Sequence, residues 1–121
     1  MSGSLGPYRY RFHSDKRSGG AQGPVERTMR AEVRLWSGAA AWYFALLPVS
    51  EARSIKREHG VHARGWGSLP VIARVGEVEW RTSIFPDGKS GTYLLPLKAD
   101  VRRRAGIKRG DRIELGLRVR P

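Results

Sequence analysis

The chain of 121 residues carries 23 Lys and Arg against 11 Asp and Glu, a net charge of +12, and no cysteine. That length supports one domain. The missing thiols exclude disulfides, zinc–thiolate centres and thiol catalysis, which suits a cytoplasmic protein held together by packing alone.

Residues 1–27 read as a disordered basic leader, polar and without the apolar core of a secretory signal. Residues 1–28 hold five Lys/Arg and two acids, so the larger share of the charge, +9, belongs to the rest of the chain. Met29, Ala31, Val33 and Leu35 then alternate with Arg30, Glu32, Arg34 and Trp36, the period-two pattern of a half-buried strand. Met29 is also an alternative start of the chain. A turn is predicted over residues 37–40. The run from Trp42 to Pro48, "WYFALLP", is apolar on both faces and predicts a central strand ended by its proline. A helix follows from Pro48 and Ser50, with Glu51 in its positive first turn and Lys56, Arg57 and His59 at its negative end. Ala52 and Ile55 face the core, and Gly60 supplies the stop.

Trp66 stands between two glycines, and a strand begins near Leu69. Gly76 turns it into a β-hairpin partner in which Val78, Trp80, Thr82 and Ile84 share a face. "PDGKSG", residues 86–91, predicts a loop. The strand "TYLLP" ends at Pro96, and a short basic helix runs from about Lys98 to Ala105, closed by Gly106. The last strand alternates Ile113, Leu115, Leu117 and Val119 with Arg112, Glu114, Gly116 and Arg118, giving one buried face and one wet, basic face.

"YFALLPVSEAR" and "TYLLPLKADVR" share the order strand, Leu-Leu-Pro, helix, glycine, with Pro48 and Pro96 in equivalent places 48 positions apart. In each, proline would block further pairing and preset φ for a helix that caps one barrel end. The pattern predicts a mainly β, pseudo-twofold barrel with two short helices over residues 28–121. Gly91, Pro96, Arg102, Gly106, Ile107, Gly110, Asp111, Ile113 and Glu114 resemble the pattern of AbrB-like, double-split β-barrel proteins. Over roughly Thr28 to Val119, "WYFALLP", "GWGSLPVIARV" and the stretch from Trp80 to Leu115 resemble an uncharacterised bacterial domain-of-unknown-function family found beside YdeI/OmpD-associated domains. That resemblance implies a small double-split barrel without an established activity. AbrB-like regulators bind DNA as dimers of half-barrels. This chain holds both halves, so a monomer is expected.

Two functional readings stay open. Lys98, Arg102, Arg109, Arg112 and Arg118, with Arg120, would bind phosphates if they converged, with steep salt dependence. Arg102, Arg103 and Arg104, however, fan out by ~100° each on a helix, with Val101 and Ala105 inward, as on a solvated lid. The second reading is a ligand module. Arg64 and Trp66 in a glycine-flanked loop, with Tyr93, suit stacking on a planar anion. Trp42 and Trp80 are expected in the core. Catalysis is not expected: His13, His59 and His62 lack metal-ligand spacing, Ser54, Ser68 and Ser83 lack an activating motif, and no phosphate loop or cofactor motif occurs. Asp87 and Asp111 sit in glycine-containing turns, where they serve local hydrogen bonds.

Overall fold

A computed structural model describes residues 25–36, 38 and 42–120. The leader and the turn at 37–40 therefore lie almost wholly outside the described residues. The barrel takes in residues a little before 28, because Arg27 opens the first strand and Glu26 bonds to Arg74. The strands are β1 (Arg27–Trp36), β2 (Trp42–Leu46), β3 (Leu69–Val75), β4 (Val78–Asp87), β5 (Thr92–Pro96) and β6 (Arg112–Val119). Two helices, α1 (Val49–His59) and α2 (Ala99–Ala105), follow β2 and β5.

The strands close an antiparallel barrel in the order β1-β2-β5-β4-β3-β6. The chain thus makes two β-β-α-β halves, and exchanging them turns the strand order back into itself. Four strand pairings join the halves, and two of them are seams between equivalent strands, β2 with β5 and β3 with β6. In one, Leu46 faces Leu94; in the other, Val71 faces Val119. Both pairs are 48 positions apart (46 to 94, 71 to 119), the spacing of the two Leu-Leu-Pro runs. β1 and β4 are each shared between two neighbours. β1 pairs with β6 through Arg27–Glu32 and with β2 through Glu32–Trp36. β4 pairs with β3 through Val78–Ile84 and with β5 through Phe85–Asp87.

The alternation seen in sequence sets the inside of the barrel. Val33, Ala45, Leu69, Val71, Leu95 and Leu115 are almost fully buried. Each Val or Leu so buried contributes roughly 1.5–3 kcal/mol. β2 and β5 run antiparallel, so the helices after them lie at opposite ends of the barrel. α1 seals one end with Ala52 and Ile55, and α2 the other with Val101, while Ala105 packs against the same core. Gly106 ends α2 in the left-handed region (φ 68°), and the Ile107 N–H donates to the Arg102 carbonyl with Ile107 buried. That is the geometry a C-terminal glycine is suited to.

Three local expectations are corrected. Pro96 ends its strand as expected, still paired opposite Phe44, but it does not open the helix that follows. The Leu47 N–H donates to the Tyr93 carbonyl and the Leu97 N–H to Tyr43, so these are the hydrogen-bonded sites of the seam. Pro96 falls on the alternate, non-hydrogen-bonded site, where a missing N–H costs nothing. Hence only Pro48 borders its helix directly; α2 begins after Lys98. Pro86 and Asp87 pair with Tyr93 and Thr92, which shortens the predicted loop to residues 88–91. Gly60 stops α1 as expected, with a right-handed φ of −58°, and leads into a 3-10 turn (Gly60–His62). Finally, the outer face of β6 is only partly wet. Gly116 is buried beneath the Glu26 carboxylate, which takes two hydrogen bonds from Arg74 at 2.8 and 2.9 Å.

Candidate functional site

The apolar stripe of α1 fixes where its cations point. With Ala52 and Ile55 turned inward, Arg53 and Lys56, three apart, fall together on the side facing the β4–β5 hairpin. Between them lies a cleft of about 420 Å³. Tyr93 and Thr92 line it from β5, Asp87 from the end of β4, and Gly60, Gly67, Gly88 and Gly91 leave its walls low. The Thr92 hydroxyl donates to the Leu47 carbonyl at 2.8 Å and so ties β5 to the entry of α1. Asp87 accepts from the Ser90 N–H (3.0 Å) and hydroxyl (2.6 Å), which hold its carboxyl below the usual carboxylate range. The Tyr93 phenol is pushed up by burial. Among the described residues, neither Arg53 nor Lys56 pairs with a carboxylate.

Arg64, Trp66 and Tyr93 are divided between two settings. Arg64 and Trp66 belong to a five-residue loop whose ends meet through the Arg64 N–H and the Ser68 carbonyl at 2.8 Å. Trp66 is at its tip, 93% exposed, with φ 64°, the only positive φ outside glycine among the described residues. Gly67 (φ 77°) packs on Pro86 and connects this loop to the cleft wall. Tyr93 is a core residue and forms part of the cleft floor.

Two members of the basic set, Arg102 and Arg118, are engaged within the barrel wall. The Arg102 guanidinium lies over the Tyr43 ring at 3.8 Å and donates to the Leu97 carbonyl. Arg118 pairs with Glu79 at 3.5 Å, both side chains largely covered. It sits six residues along β6 from exposed Arg112, or ~20 Å. Arg109 and Lys98 are exposed at either end of α2, and Arg103 and Arg104 share Asp100. Asp111 accepts from the Lys108 N–H at 2.8 Å, the turn role expected of it.

Trp80 packs against the core as expected, but Trp42 does not. It is 37% exposed on the outer face, beside Trp36 at 53%. The unbroken apolar run of β2 carries no period, so sequence gave no sign of which face was wet. Arg53 and Lys56 were hidden in the ordinary polar face of an amphipathic helix.

The fold and these surfaces define a small basic β-barrel module with a helix-walled cleft and an exposed aromatic face. A family model described as a domain of unknown function (DUF1905) matches residues 30–117, from β1 into β6, and the chain belongs to that family. A search of curated proteins found no match.

Proposed function

We propose that the chain is a non-enzymatic binding module that takes a small anion with an apolar body in the cleft between α1 and the β4–β5 hairpin. The observation that carries this reading is the convergence of Arg53 and Lys56 over a largely apolar floor. Two cations at the rim of an apolar recess favour an acid group at the mouth and a hydrocarbon or ring below. Asp87 is engaged by its own turn and is held ionised, a poor general base near neutrality. Trp66 beside the wall offers a face on which a planar ligand would stack. An AbrB-like, duplex-binding role has less support, since Arg102 and Arg118 are engaged within the barrel wall. Because both halves come from one chain, the module closes without a partner and acts as a monomer.

Thermal shift against aliphatic carboxylates, aromatic carboxylates and inorganic phosphate tests this. A ligand at a hundred times its Kd stabilises by about 2.7 kcal/mol. The expected result is a stabilising aromatic or aliphatic acid whose effect disappears in Arg53→Ala/Lys56→Ala. No shift by any acid, or an equal shift in the double variant, refutes the reading.

A further inference from the structure

The outer face of the barrel carries aromatics that the core does not use. Trp36 and Trp42 face each other across β1 and β2, their ring centroids 6.3 Å apart. Phe44, two residues on and on the same face, lies 5.0 Å from Trp42. It stands between Arg34 on β1 and Pro96 on β5. The strip continues through Leu46 and Leu94 to Phe85 on β4, 40% exposed. Gly38 lies so close to Trp36 that any side chain there would collide with the indole. Exposed aromatics on β1, β2 and β4, joined through half-buried Phe44 and the Leu94 and Pro96 side chains of β5, mark an interaction surface.

Charge selects the occupant. Arg34 rises from the row itself, and exposed Lys98 caps the start of α2 two residues beyond Pro96. The pair of Arg34 with Glu32 at 3.1 Å is exposed on both sides and is easily exchanged for another anion. With a net charge of +12, a second copy of the chain is repelled. The occupant must be anionic and present flat faces. A duplex hides its base faces, whereas a single strand exposes both bases and phosphates. We propose that the face around Trp36, Trp42 and Phe44 binds single-stranded nucleic acid, bases stacking on the rings and phosphates meeting Arg34 and Lys98. Every base has a flat face, so recognition tolerates sequence. This surface is separate from the cleft.

The test is titration of the full chain with a 12-residue oligothymidylate and with a duplex of equal length, read by tryptophan fluorescence and by anisotropy of a labelled strand. The expected result is quenching and tighter binding of the single strand. Trp36→Ala/Trp42→Ala weakens it at least about tenfold, and Trp36→Phe/Trp42→Phe retains most of it. Arg34→Ala lowers the slope of log affinity against log salt by about 0.7. Circular dichroism of each variant confirms the fold. Equal affinity for the duplex, unchanged affinity in the alanine pair, or no binding at low salt overturns the proposal. So does a wild-type dimer on a sizing column that the alanine pair converts to monomer, which would make the face a contact between copies.

Discussion

At the scale of single residues, the basic helix shows how one residue type takes two roles. Arg102, Arg103 and Arg104 are adjacent in sequence, yet only Arg102 lies on an aromatic ring and reaches a backbone carbonyl. Arg103 and Arg104 meet Asp100 in water, where an ion pair contributes little. Arg102→Ala should therefore destabilise by about 0.5–1 kcal/mol, while Arg103→Ala and Arg104→Ala stay within about 0.5 kcal/mol of wild type; urea midpoints measure both. Sequence revealed that the three side chains diverge, from the 100° step, but not that Tyr43 lies under the first. That contact depends on a strand 59 positions away (43 to 102). Tyr93 gives a pH signature. Burial raises its phenol above the ordinary value of 10.0, so the unfolded chain loses that proton first. The contribution is complete below about pH 10 and is lost as pH rises beyond it. Between pH 10 and 11 wild type should lose more stability than Tyr93→Phe, by denaturant titration at each pH. Equal losses in the two proteins would contradict the assignment.

At the scale of elements, the two halves differ in the length of the helix and in how it returns to the sheet. α2 reaches β6 through residues 106–111, led by left-handed Gly106. α1 reaches β3 through residues 60–68, and the extra length holds Trp66. A β-carbon-bearing residue in the left-handed region costs about 1 kcal/mol or more, and an almost fully exposed indole recovers little of it. Trp66→Gly is therefore expected to leave the melting temperature unchanged or raise it. Gly106→Ala, placed at φ 68° without steric crowding, should lower it by the cost of the same conformation. Scanning calorimetry separates the two. A Trp66→Gly variant that melts well below wild type would show that the indole is structural. These elements were readable in sequence to within a residue or two, since strand alternation and helix punctuation are local signals. The β4–β5 loop was not, because Pro86 and Asp87 look like turn residues and are held in a strand by partners seven and five positions on (86 to 93, 87 to 92).

At the scale of the whole molecule, the barrel is one chain closing on its own repeat. Leu-Leu-Pro is too short a motif to fix a topology, but its spacing of 48 positions reappears in both seams, Leu46 against Leu94 and Val71 against Val119. The fold was legible because a repeat and a period-two pattern are properties of the string. The candidate surfaces were not, because a cleft and an aromatic row exist only after distant strands are set side by side. The seam offers a direct test. Leu46 and Leu94 occupy a non-hydrogen-bonded site, where opposed α-carbons lie ~4.5 Å apart and within disulfide range. The chain has no other thiol to compete. Leu46→Cys/Leu94→Cys should oxidise in air to a monomer with one internal disulfide and no free thiol, seen by mass spectrometry and non-reducing electrophoresis. Free thiols that persist in the folded protein, or disulfides formed only between chains, would contradict a barrel closed across this seam.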